Sequence, residues 1–166
     1  MKKIFNPAIS LMNSLSYSYK FIVLGGLSLV ALLMVSVSLI ISLSGSINTA
    51  NQQLLGLNQA QKSSRLIQSL QQHRGISAAV NAGVEGSANK QRIINKKVDE
   101  HLIKVKESLP LELKEIANWS TITAQWKYLK AKSLTLELDE SFNLHTKLIH
   151  NLNSLQLKLA DYFNLL

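Results

Sequence analysis

Residues 21–43 read FIVLGGLSLVALLMVSVSLIISL, twenty-three positions without a charge, an amide, a His or a Pro. At about 1.5 Å of rise per residue, a helix of this length reaches roughly 35 Å, enough to cross a hydrocarbon core about 30 Å thick with some tilt. Lipid offers no partner to a bare peptide group, so a lone span must be helical. The sequence therefore predicts one transmembrane helix, with the lipid bilayer as its first partner.

Lys2, Lys3 and Lys20 precede this stretch with no acid among them, whereas the far flank has no Lys or Arg until Lys62. The positive-inside rule then puts the N-terminus in the cytoplasm, and Tyr17, Tyr19 and Phe21 fall where an aromatic belt meets the headgroups. A cleaved signal has a shorter apolar core, about 7 to 15 residues, so an uncleaved anchor is the better reading. This gives a cytoplasmic leader at 1–20, the span at 21–43 and a module at 44–166 across the membrane. Within the span, Ser28, Ala31, Val35, Ser38 and Ser42 recur at intervals of 3, 4, 3 and 4 and share one side of a helix. Small side chains there suit a homodimer seam, although Ser and Ala are also ordinary in membrane helices.

The chain has no Cys, which removes disulfides, thiolate metal sites and thiol catalysis together. The formal charge is +8, but fifteen basic residues stand against ten acidic ones beyond the span, and none of the basic runs interleaves with aromatics. A nucleic-acid groove is not indicated.

Beyond Ser44, Pro occurs once and strand-like alternation is absent, so the module reads as helical throughout. A first helix is expected to continue from the span to about Ala82, with Ile47, Ala50, Leu54, Leu57, Ile67 and Leu70 as its apolar stripe. Gly83 and Gly86 mark a break, with Ser87 as N-cap of a second helix that buries Ile94, Val98, Leu102 and Val105 and keeps Lys96, Lys97, Lys104 and Lys106 wet. After Pro110 a third helix is expected to bury Ile116, Trp119, Ile122, Trp126 and Leu129. A fourth starts near Asp139, Glu140 and Ser141 and carries Leu144, Leu148, Leu152, Leu155, Leu159 and Phe163. The predicted class is all-α: a transmembrane helix continuing into an up-down antiparallel four-helix bundle. The last residues stay in an apolar helical register with no Gly cap, which suggests a fragment whose fourth helix, or the loop after it, continues.

Near the far end of the first helix, residues 70–77 read LQQHRGIS. Gly inside a helix costs about 1 kcal/mol relative to Ala, so Gly75 calls for a reason, and close helix packing is one. Arg74 can clamp an anion through its planar donors, with Gln71, His73 and Ser77 within a turn. The blander alternative pairs Arg74 with an acid on a neighbouring helix.

These residues resemble a family. Gln71, Arg74, Gly75 and Ser77 match a Q-x-x-R-G-x-S pattern found in the outer sensory helices of membrane-anchored methyl-accepting chemotaxis proteins, similar to helical domains of the nitrate- and nitrite-sensing type. Glu140, Ser141, Phe142, His145, Thr146, Leu148 and Ile149, followed by Ala160 and Asp161, are similar to a later helix of such receptors. The resemblance implies a bacterial inner-membrane protein with its module in the periplasm, a homodimer, and a small anionic ligand or a periplasmic binding protein as partner. It also implies a second span and an output module further on, and related sensor regions front histidine kinases and diguanylate cyclases. A bitopic scaffold without ligand sensing is the reading from another class.

Enzyme chemistry is not indicated: there is no phosphate-cradling loop, nucleophile elbow or acid/base pair. No cofactor or metal is expected, since His145 and His150 lie about 140° apart around a helix and no His/carboxylate motif accompanies them. His145 is instead expected to be a polar partner inside the bundle.

Overall fold

In a computed structural model the described residues are Ser10, 13–116 and 118–165, with the side chain of Ile116 excepted. Lys2, Lys3 and the Ile116 side chain thus lie outside them. Among the described residues the regular elements are helices and no strand occurs, as the all-α class requires. They are α1 (Tyr17–Asn81), α2 (Ser87–Ser108), α3 (Leu111–Ile116), α4 (Trp119–Lys132) and α5 (Leu138–Tyr162). The chain divides into two units, Met1–Thr49 and Ala50–Leu166, and α1 contributes to both.

In the first unit α1 is long and apolar enough to cross a membrane, with a window of mean hydropathy 2.5 of which nothing is buried. Leu32, Met34 and Ile41 each expose about two thirds of their surface. Ser28, Ala31, Val35, Ser38 and Ser42 are exposed with the rest. Near its end, Ser46 and Thr49 donate to the carbonyls of Ser42 and Gly45 at 3.1 Å, so these hydroxyls are satisfied within the helix.

The second unit has one core, to which α1, α2, α4 and α5 all contribute. The stripe expected on α1 is corrected here. Ala50, Leu54 and Leu57 are exposed, as is Ile47 in the first unit, and the buried line runs through Gly56, Ser63, Leu66, Ile67, Leu70, His73 and Ser77. A hydropathy stripe misses it because small and polar residues occupy the inner face. Gly56 is required by contact: a Cβ there would lie 2.5 Å from the Cβ of Phe163.

The α2, α4 and α5 faces lie where periodicity puts them, with Val98, Val105, Ile122, Leu129, Leu148, Leu152, Leu155 and Leu159 almost wholly buried. Three boundaries differ. Ser87 is the first helical residue rather than the cap: Gly86 precedes it in the left-handed region, and the Ser87 hydroxyl donates to the Val84 carbonyl at 2.5 Å. The expected third helix is two, α3 and α4, because Asn118 adopts φ 48° and ψ 49° and its carbonyl starts the next turn by accepting from Thr121 and Ile122. Asn tolerates that conformation better than most residues, so one apolar stripe can hide a break. Finally, α5 ends at Tyr162. Asn164 takes φ 50°, and the Leu165 amide donates to the Ala160 carbonyl at 2.8 Å, a Schellman-type closure. The Asn164 carbonyl in turn accepts from Gln53 Nε2 at 2.9 Å.

Candidate functional site

Helical spacing divides the predicted site into two. Positions 71, 74, 75 and 78 share one face of α1, and 73 and 77 share another. Gln71, Arg74, Gly75 and Ala78 line a cleft of about 190 Å³ with Leu138, Ser141 and Phe142 of α5. His73 and Ser77 point instead into the core, both fully buried.

In the cleft the Arg74 guanidinium lies over the Phe142 ring, 4.6 Å from its centroid, a cation–π arrangement that holds the planar group without neutralising it. Its one side-chain hydrogen bond among the described residues is long, 3.4 Å from Nη1 to the Thr146 hydroxyl. No acid pairs with it: among the described residues the ion pair is Lys130 with Asp99, at 2.6 Å. Arg74 is half-buried with most of its donors uncommitted. Gly75 is exposed, and a Cβ there would meet nothing within 4 Å. Within the chain, the close contact that requires glycine occurs at Gly56, against Phe163, and Gly75 lines the cleft.

The inner constellation is a hydrogen-bonded line with one direction. His145 Nδ1 lies 2.6 Å from the Ser141 carbonyl, which can only accept, so Nδ1 carries the proton and Nε2 of the neutral ring is bare. His73 Nδ1, 2.7 Å away, therefore donates to His145 Nε2. That leaves His73 Nε2 to accept from Gln91 Nε2 at 3.0 Å, and the same amide nitrogen donates to the Ser77 hydroxyl at 3.0 Å. One line thus joins α5, α1 and α2. The Trp126 ring meets His73 edge-on at 4.9 Å and donates to Asp99 Oδ1 at 2.8 Å.

Charge is disfavoured throughout this line. Burial, and then the neighbouring His145, push the His73 pKa down to about 4, with Asn95 acting weakly the other way. His145 is lowered by burial and by Arg74, against the carbonyl of Ser141. Both rings are neutral at pH 7. Beside them the buried acceptor Gln91 Oε1 has no hydrogen-bond partner among the described residues. The cleft and the line meet at Ser141, which borders the first and supplies the terminal acceptor of the second.

Sequence reasoning foresaw His145 as a buried polar partner but missed its contact with His73, 72 positions away, and missed Gln91 altogether. No signal within α1 set His73 opposite His145. His150 is exposed. Among the described residues no three of His, Asp or Glu converge as metal ligands. The chain matches no family model, curated protein or solved structure.

Proposed function

We propose that the chain is the sensory and transmembrane part of a bacterial chemotaxis-type receptor. In this reading the N-terminus is cytoplasmic, α1 spans the inner membrane, and the helices beyond it form an up-down antiparallel four-helix bundle in the periplasm. A small anion entering the cleft engages Arg74, helped by Gln71. Ser141 passes the resulting shift of α5 to His145, His73 and Gln91, and α1 carries a small displacement towards the membrane. His73 and Ser77 thus serve as transmitters rather than ligand contacts. The observation that carries the reading is a half-buried guanidinium with no carboxylate partner among the described residues, facing an open cleft.

The test places the 166 residues ahead of a chemotaxis receptor's own second span, linker and cytoplasmic output module and follows kinase control over a panel of small anions. A responding anion should lose about tenfold or more in apparent affinity in Arg74→Ala, the loss of a charge-assisted hydrogen bond worth roughly 1.5–3 kcal/mol. An unchanged dose–response in that variant contradicts the assignment. A reporter active only in the periplasm, fused after Leu166, should be active, and activity solely from a cytoplasmic reporter would reverse the topology.

A further inference from the structure

A second depression lies between α1 and α2. Asn58, Gln61, Lys62 and Arg65 of α1 face His101 and Lys104 of α2 around about 250 Å³. The α1 positions follow i, i+3, i+4 and i+7, so one helix face presents them all. Among the described residues, none of Lys62, Arg65 and Lys104 lies within ion-pair distance of a carboxylate. Gathered cations repel one another, and a merely solvated face has no reason to hold a histidine among them in fixed orientation.

His101 is held in that way. The Ser69 hydroxyl donates to the Arg65 carbonyl at 2.9 Å, which spends its proton, so its oxygen accepts from His101 Nδ1 at 2.8 Å. His101 is therefore the Nδ1–H tautomer, with Nε2 as the nitrogen without a protein partner among the described residues.

We infer that this depression is a binding site for a small multivalent oxyanion of the phosphate or sulfate class. Arg65 supplies a planar fork of donors, Lys62 and Lys104 supply point charges, and the amides of Asn58 and Gln61 complete the polar wall. His101 Nε2 becomes a further donor when the ring takes a proton.

The groups facing His101 set the pH dependence. Burial lowers its pKa, as do Lys104 and Lys97, while the Arg65 carbonyl and Glu100 act the other way. Without the anion the ring is neutral at pH 7. A bound oxyanion offsets the lysines and favours the imidazolium, so binding takes up a proton and tightens as pH falls below neutrality.

The full chain, ¹⁵N-labelled at its four histidines and held in nanodiscs of zwitterionic lipid, tests this by NMR titration with phosphate, sulfate and chloride. Phosphate should raise the His101 pKa saturably while exposed His150 stays unmoved. Arg65→Gln combined with Lys104→Gln should weaken the effect at least tenfold, and Arg74→Ala should leave it intact, which separates this site from the cleft. Unaltered His73 and His145 signals confirm that the variants fold. If the shift appears only in discs of anionic phospholipid and is lost in the double variant, the oxyanion is a lipid headgroup. An equal response to chloride, an equal shift of His150, or a double variant that binds like the parent overturns the site.

Discussion

Residues 21–43 and 66–77 belong to one helix and treat polarity in opposite ways. The first stretch is apolar on every side and buries nothing within the chain, whereas the second buries Ser69, His73 and Ser77 beside Leu66 and Leu70. For the first, the hydrophobic driving force finds no outlet among the described residues, as in a helix long and apolar enough to cross a membrane. For the second, polar groups can be buried only because each finds a partner: Ser69 with His101, and His73 with His145 and Gln91. The apolar surface of the first stretch is left without partners in the chain, and paired polarity in the second specifies which helices meet and in what register.

The contrast breaks most easily at the first stretch. Leu33→Arg should cost about 2.5–3.5 kcal/mol of insertion free energy near the span's centre, read as loss of the chain from the membrane fraction. If the variant fractionates like the parent, residues 21–43 do not span. The second stretch is tested by acid. His73 has a folded pKa of about 4 against an ordinary value of 6.5, so the unfolded chain binds more protons between those pH values. The stability from the neutral ring is complete above about pH 6.5 and is lost as pH falls towards 4, by about 3 kcal/mol across that window. Denaturant unfolding of the full chain in nanodiscs, followed by Trp fluorescence, should show that decline. A flat profile across the window would mean that His73 is not buried as a neutral partner.

The same contrast explains what the sequence could reveal. An uninterrupted apolar run and the Leu repeat of α5 need only composition and period, so a helix long and apolar enough to cross a membrane, the all-α class and the inner faces of α2, α4 and α5 were legible. The inner face of α1 was not, because Gly56 is buried for shape, and His73 and Ser77 for hydrogen bonding, rather than for hydropathy, whereas Leu54 and Leu57 stay outside. The breaks at Asn118 and Asn164 rest on left-handed backbone that no periodicity marks. For the candidate site, local spacing grouped Gln71 with Arg74, which line one cleft, but also drew in His73 and Ser77, which do not. Their partners come from α2 and α5, and no pattern within α1 encodes them.

The central claim, a neutral line with one direction crossing three helices, is tested most directly by the ¹⁵N shifts of His73 and His145 in the full chain at pH 7. Both rings should appear as the Nδ1–H tautomer, the form free histidine disfavours, with Nε2 of each unprotonated. An Nε2–H tautomer at His145, or a charged imidazolium at either position, would contradict it.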